Sequence, residues 1–233
     1  MQPKHVKIFP MKKTIGKVEE IYLDGSIRIV CPPESIPSPG QYLQAHAHGS
    51  DSPVAVSLFP SLVAPNGFRS GPINHAKWRP GDALHLHGPF GRGFTLSLSA
   101  RRVLLVSFDA PPFHMLGLIS QALAQQAEVV MVCDFGIENL PEVVEVQPLR
   151  SLPEVFSWAD YAAMDVDRAN LDQLKVSLAG LDQASVRIEA QVLLRSPMPC
   201  AGLADCGVCA YTSPQGWQMI CKNGPVFDLG KLL

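Results

Sequence analysis

The sequence predicts a multi-domain β and α/β chain: an antiparallel β-barrel, then a short parallel α/β domain, then a small C-terminal domain built on cysteines. Three observations predict it. Short β-rich runs broken by Gly and Pro fill residues 1–98. Continuous apolar runs alternate with helical periodicity over residues 99–185. Within residues 186–233, four of the six cysteines lie at or beyond position 200.

In the first part the expected strands are Thr14–Tyr22, Ser26–Val30, Gln41–Ala45, Val54–Phe59 and Ala83–His87. They are separated by Pro32-Pro33, Pro37 to Gly40, Pro65-Asn66-Gly67 and Pro80-Gly81-Asp82. Regularly spaced short strands with such punctuation suit a small antiparallel barrel.

The period then changes. Arg102 to Phe108 carries Val-Leu-Leu-Val, the unbroken apolar run of a strand buried on both faces. A helix is expected from Pro112 to Gln126, with Phe113, Leu116, Ile119 and Leu123 on one face. Strands at Glu128–Cys133, Val143–Val146 and Ala162–Val166 and a helix at Leu171–Leu178 continue the alternation, which is βαβ texture and hence a parallel sheet. In the third part Val186–Leu194 reads as a strand.

Composition narrows the function classes. A 233-residue chain with 47% hydrophobic and 17% charged residues has ample material for a core. A formal net charge of −2 with no basic run argues against nucleic acid, because phosphate binding needs clustered Lys and Arg. No apolar stretch reaches the roughly 18–20 residues of a membrane span. Met-Gln-Pro-Lys-His-Val-Lys opens the chain with no apolar signal-peptide core behind it, so a cytoplasmic location is expected. In that compartment clustered cysteines point to ligands, not disulfides.

Cys200, Cys206, Cys209 and Cys221 follow the spacing C-x5-C-x2-C-x11-C. Four thiolates serve either an iron–sulfur cluster or structural zinc. The first loop, Ala201-Gly202-Leu203-Ala204-Asp205, is small and partly glycine, which lets backbone N–H groups turn toward cluster sulfurs. Leu203, Val208 and Trp217 are candidates to shield the cluster from water. A zinc ribbon usually has two C-x2-C pairs and this chain has one, so a [2Fe–2S] cluster is the preferred reading and zinc the alternative. The first gap is one residue longer than in plant-type ferredoxins.

The stretch from Met198-Pro199-Cys200 to Cys209-Ala210, together with Cys221-Lys222-Asn223-Gly224-Pro225-Val226-Phe227, resembles the cluster segment of the dihydroorotate dehydrogenase electron-transfer subunit family. Upstream, Pro39-Gly40-Gln41-Tyr42 resembles the P-G-Q-[FY] turn of ferredoxin-reductase-like flavin barrels. Pro80-Gly81-Asp82 and Gly88-Pro89-Phe90-Gly91-Arg92-Gly93-Phe94 match that family's motifs in order and spacing. The resemblance implies an FAD-binding-like barrel over 1–98, a degenerate nucleotide-binding-like domain over 99–185 and a [2Fe–2S] domain over 186–233. It further implies Ser57, Gly71, Gly88, Gly91 and Gly93 at the flavin, the four cysteines on the cluster, an FMN-bearing catalytic partner subunit, and a part in pyrimidine biosynthesis.

Two departures limit what carries over. The family's R-P-x-S appears here as Val54-Ala55-Val56-Ser57, and its G-T pair as Gly71-Pro72. Val offers no donors to a diphosphate, and Pro has neither hydroxyl nor N–H. The family's glycine-rich turn appears as Ser107-Phe108-Asp109-Ala110, before Pro111-Pro112. Without glycines the backbone loses close approach to a pyrophosphate, and Asp109 sets a negative charge there. FAD therefore stays open, and NAD(P)H binding in the usual manner is not expected. The expected function is single-electron transfer in a hetero-oligomer, with a non-catalytic structural or regulatory module as the alternative. His46, His48, His85 and His87 read as solvent-facing strand residues, and Cys31 and Cys133 as buried apolar ones.

Overall fold

In the first part of the chain, alternating buried and exposed side chains build seven strands: β1 (Lys13–Ile21), β2 (Ile27–Val30), β3 (Tyr42–Ala47), β4 (Val56–Leu58), β5 (Pro60–Ala64), β6 (Gly67–Ser70) and β7 (Ala83–Phe90). These come from a computed structural model that describes residues 13–49, 54–73, 77–136, 140–179, 188–214 and 216–233. The strands form one wholly antiparallel sheet in the order β4-β3-β7-β1-β2-β6-β5. Val18, Ile29, Leu43, Leu58, Phe68, Leu84 and Leu86 fill its interior with no exposure to water, and Cys31 joins them.

The expected closed barrel is a half-barrel. Its two edge strands, β4 and β5, do not pair with each other; they follow one another in sequence across Phe59. At that residue the chain leaves β3 and turns to pair with β6. Strands β5 and β6 are absent from the sequence expectation because Pro65-Asn66-Gly67 reads as loop punctuation. It is the turn of a hairpin.

The second sheet is built from β8 (Arg102–Ser107), β9 (Glu128–Val132), β10 (Val144–Gln147), β11 (Tyr161–Asp167) and β12 (Glu189–Arg195), all parallel, as the apolar runs predict. Residues 186 and 187, where the last strand was expected to begin, lie outside the described residues. Helix α1 (Leu116–Ala124) covers one face, and α2 (Leu152–Trp158) and α3 (Leu171–Ser177) the other. Helix α1 starts later than expected. Pro111 and Pro112 instead form a turn in which Phe113 and Met115 donate back to their carbonyls. The helix buries Leu118, Ile119 and Ala122, so of the expected face only Ile119 is fully inside.

After β12 the chain leaves the sheet for the cysteine segment, a hairpin of β13 (Ala210–Ser213) and β14 (Gly216–Met219), and the one-turn helix α4 (Ile220–Asn223). It returns as β15 (Val226–Asp228), antiparallel to β12, giving the order β10-β9-β8-β11-β12-β15. Residues 196–225 are therefore an excursion from the edge of the second sheet, and the core of that sheet is continuous with the packing under the cysteines. Among the described residues no helix is long and apolar enough to cross a membrane.

Candidate redox centre

The cysteine segment folds so that its thiols face one another in pairs. Cys206 Sγ lies 3.4 Å from Cys200 Sγ, and Cys209 Sγ lies 3.1 Å from Cys221 Sγ. The loop between the first two turns tightly, with positive φ at Ala201 and Gly202, and Gly207 just after Cys206 takes positive φ as well. The turn at 201–206 brings backbone groups onto Cys200. Burial opposes ionisation of Cys200, but hydrogen bonds from the backbone of Ala204, the Cys206 thiol, and the backbones of Gly202 and Cys206 bring it down to about 7. On the inner side the Cys221 N–H points at Cys209 Sγ from 3.4 Å. Cys221 is pushed up to about 12, first by burial and then by its neighbours Cys209 and Cys200.

The inner pair is buried and the outer pair opens to solvent, Cys206 most of all. Arg168, at the end of β11, holds the outer strand by donating to the carbonyls of Val208 (2.5 Å) and Ala210 (2.9 Å). The expected shield is not one. Leu203, Val208 and Trp217 are 70%, 43% and 76% exposed, because the loop and the hairpin turn their outer sides to water. The thiols are instead covered from below by Tyr42, Met198, Tyr211, Ile220 and Phe227.

Two polar side chains of β3 reach this centre from the first sheet. Gln44 Nε2 donates to the Met198 carbonyl at 2.7 Å, two residues before Cys200, and to Ser57 Oγ at 3.0 Å. Tyr42 is fully buried, its ring set between Phe59 (5.4 Å) and Phe90 (5.7 Å). Its hydroxyl and Gln44 Oε1 have no hydrogen-bond partner among the described residues.

The remaining glycines of the expected flavin set make contacts inside the protein. A side chain at Gly91 would meet Pro225 Cδ at 2.3 Å and the Gly224 carbonyl at 2.9 Å, and one at Gly93 the Pro39 carbonyl at 2.8 Å. Arg92 N–H donates to the Gly224 carbonyl at 2.8 Å. This stretch therefore joins the half-barrel to the segment after Cys221. Gly88 precedes Pro89 in β7, and the Gly71 N–H donates to the Phe59 carbonyl at 3.2 Å. Beside Gly71-Pro72 is a cavity of about 600 Å³ lined by Asp24, Arg69, Pro72, Pro112 and Phe113. Arg69 is already engaged there, donating to Asp24 Oδ2 and Ser26 Oγ at 2.6 Å.

With four thiols gathered on such a scaffold, the likeness to known proteins is specific. The chain is 28% identical over 216 residues to the dihydroorotate dehydrogenase B (NAD(+)) electron transfer subunit of Caldanaerobacter subterraneus subsp. tengcongensis, covering 82% of this chain and 85% of that one. It is 23% identical over 227 residues to the probable counterpart from Thermococcus kodakarensis, covering 84% and 87%. This chain is a divergent relative of those electron-transfer subunits. No family model matches it. Among solved structures, the NADH-dependent reduced ferredoxin-NADP oxidoreductase, studied for flavin-based electron bifurcation, superposes with a TM-score of 0.71 at 14% identity over 94% of this chain and 89% of that one. The ferredoxin reductase of carbazole 1,9a-dioxygenase gives 0.60 at 14% over 79% and 70%. The fold is ferredoxin-reductase-like, with an antiparallel half-barrel and a mixed α/β sheet.

The turn after β8, the Ser107–Ala110 stretch, is filled by charge pairs. Asp165 is fully buried; it accepts from Arg195 Nε at 2.6 Å and lies 2.8 Å from His114 Nδ1. Burial works against its ionisation, but His114 and Arg195 hold its carboxyl below the usual carboxylate range. The same guanidinium pairs with Asp109, which also accepts from the Asp167 N–H at 2.9 Å and from Asn170 Nδ2 at 2.7 Å. Arg195 and Asp165 are missing from the sequence expectation. The signal for them is a charge inside an apolar strand, which must find a partner.

On the solvent side of β3 and β7, His48 Nδ1 is 2.9 Å from His85 Nε2, and the rings of His46 and His87 meet at 6.5 Å. Among the described residues no three or more His, Cys, Asp or Glu side chains are placed to hold a single metal ion. Cys31 and Cys133 are buried, as expected.

Proposed function

We propose that this chain is an electron-transfer subunit that carries a [2Fe–2S] cluster on Cys200, Cys206, Cys209 and Cys221 and exchanges electrons with a catalytic partner subunit. The carrying observation is the arrangement of the thiols in two close pairs. A binuclear cluster takes two thiolates per iron. A tetrahedral metal with sulfur bonds of about 2.3 Å spaces its sulfurs about 3.8 Å apart. The pairs at 3.4 and 3.1 Å need to open only slightly, whereas among the described residues no single point serves three ligands as one zinc ion requires.

The cluster, when bound, supplies one-electron chemistry. The chain's own residues do the rest. Backbone donors at 202–206 and at Cys221 N–H favour the thiolate forms that bind metal. Tyr42, Ile220 and Phe227 keep water from the inner pair, while the exposed Cys206 side leaves a short path to a docked partner. By likeness to its relatives, the partner is the catalytic subunit of a dihydroorotate dehydrogenase; the motif resemblance makes that subunit FMN-bearing and the process pyrimidine biosynthesis.

FAD enters this reading through the flavoprotein fold. Ser57 offers a hydroxyl at its ring end. At the diphosphate end Val54 and Pro72 give no donors, and Arg69 is neutralised by Asp24. No electron step is therefore routed through FAD. Nor do the residues at Ser107–Ala110 fit NAD(P)H, since the donors of Arg195 are spent on carboxylates.

Protein purified without oxygen should contain about two irons and two sulfides per chain. Dithionite should bleach its visible absorption and give a low-temperature EPR signal. One zinc per chain and no EPR signal would overturn the proposal. A flavin released on heating would restore FAD as a second stop.

A further inference from the structure

Tyr42 poses a specific problem. Its hydroxyl is fully buried, and among the described residues no donor or acceptor meets it. An orphaned buried hydroxyl costs free energy and calls for a partner that the protein chain does not supply. The ring has no freedom to carry the hydroxyl to water, because Phe59 and Phe90 flank it. Tyr42 belongs to the packed cluster that also holds Cys209 and Cys221 and against which Cys200 packs.

We propose that Tyr42 donates its hydroxyl hydrogen to a sulfur of the bound cluster, and is a positioning residue that raises the cluster's reduction potential. The inference rests on the reading that the four cysteines hold a [2Fe–2S] cluster. Reduction adds negative charge that spreads onto the sulfurs, and a buried donor aimed at them stabilises that charge more than the oxidised form. The low dielectric around the inner pair strengthens the effect. Gln44 cannot substitute, because its amide N–H groups already serve Met198 and Ser57.

The test is Tyr42→Phe in the full chain, purified without oxygen beside the wild type. The substitution removes one oxygen and breaks no hydrogen bond within the protein, so folding is not at stake. Iron and sulfide content, the EPR signal and a mediator titration of the midpoint potential are measured on both proteins. The expected result is equal iron and sulfide in both, with the variant about tenfold harder to reduce, which is 59 mV more negative for one electron. A loaded variant with an unchanged midpoint overturns the role of Tyr42 and leaves the cluster reading intact. A wild type without iron overturns the cluster reading and this inference with it. Pulsed ENDOR on the reduced proteins gives a second readout. An exchangeable proton coupled to the cluster should be present in the wild type and absent in the variant; the same proton signal in both overturns the proposal.

Discussion

The side-chain amide of Gln44 donates to the backbone carbonyl of Met198 at 2.7 Å, across 154 positions of sequence. The same nitrogen donates to Ser57 Oγ. One buried side chain on β3 thus ties the start of the cysteine loop to the neighbouring strand β4. Replacing it with an apolar residue of similar length, Gln44→Leu, leaves the Met198 carbonyl without its donor. The expected loss is about 1–3 kcal/mol. Urea unfolding should give a lower midpoint at unchanged slope, and a wild-type midpoint would refute the tie.

Arg195 is the hub of the charge network that joins β8, β11 and β12. Arg195→Leu takes the guanidinium from Asp165 and Asp109, one fully and one mostly buried, with only His114 still beside Asp165, and about 3–5 kcal/mol of stability should go. The pH dependence gives the sign. In the wild type the Asp165 carboxyl lies below its unfolded value near 3.9, so its contribution is complete above that pH and is lost as pH falls through the lower, folded value. In the variant the same carboxyl, buried without the guanidinium, binds a proton more readily when folded. The stability gap between variant and wild type should therefore narrow from pH 8 to pH 5. A gap that does not change with pH would argue that Arg195 acts by packing alone.

The gathering of the cysteines was legible from their spacing: the thiols at C-x5-C-x2-C-x11-C face one another in two pairs. The parallel strands were legible from unbroken apolar runs such as Val103–Val106. Tyr42 and Gln44 were not, because nothing in Pro39-Gly40-Gln41-Tyr42 tells that β3 lies under residues 198–221. That contact depends on how two sheets dock. Asp165 and Arg195 could have been matched: each is a charge next to an apolar run, of opposite sign, and β11 and β12 are neighbours. Trp217, read as a shield, sits on the outward side of a two-stranded hairpin, a side that no local pattern distinguishes in four residues.

The Asp109–Arg195 pair also bears on reactivity with nicotinamide nucleotides. Phe108 N–H is taken by the Asp165 carbonyl at 3.0 Å, and Ser107 Oγ donates to the Ala110 carbonyl at 2.7 Å. The turn keeps its donors for itself. The lone chain should therefore leave NADH unoxidised with a soluble electron acceptor, over a time in which dithionite reduces its cluster fully. Steady consumption of NADH, followed by its absorbance, would show that a nucleotide site survives elsewhere.

Six cysteines allow a controlled test of the centre. Cys31 and Cys133 are buried in separate cores, away from the thiol pairs, and Cys31 is pushed up to about 11 by burial. Cys31→Ala and Cys133→Ala should keep full iron content, with only the small stability cost of a core truncation. Cys209→Ala and Cys221→Ala should each lose the cluster, because each leaves one iron with a single thiolate. Cys206→Ser is the most informative member, since its side chain is exposed and a serine oxygen can still reach a metal. It should retain part of its iron and show an altered EPR signal. If instead Cys206→Ser matched the wild type in iron content and spectrum, Cys206 would not be a ligand and the two-pair arrangement would be wrong.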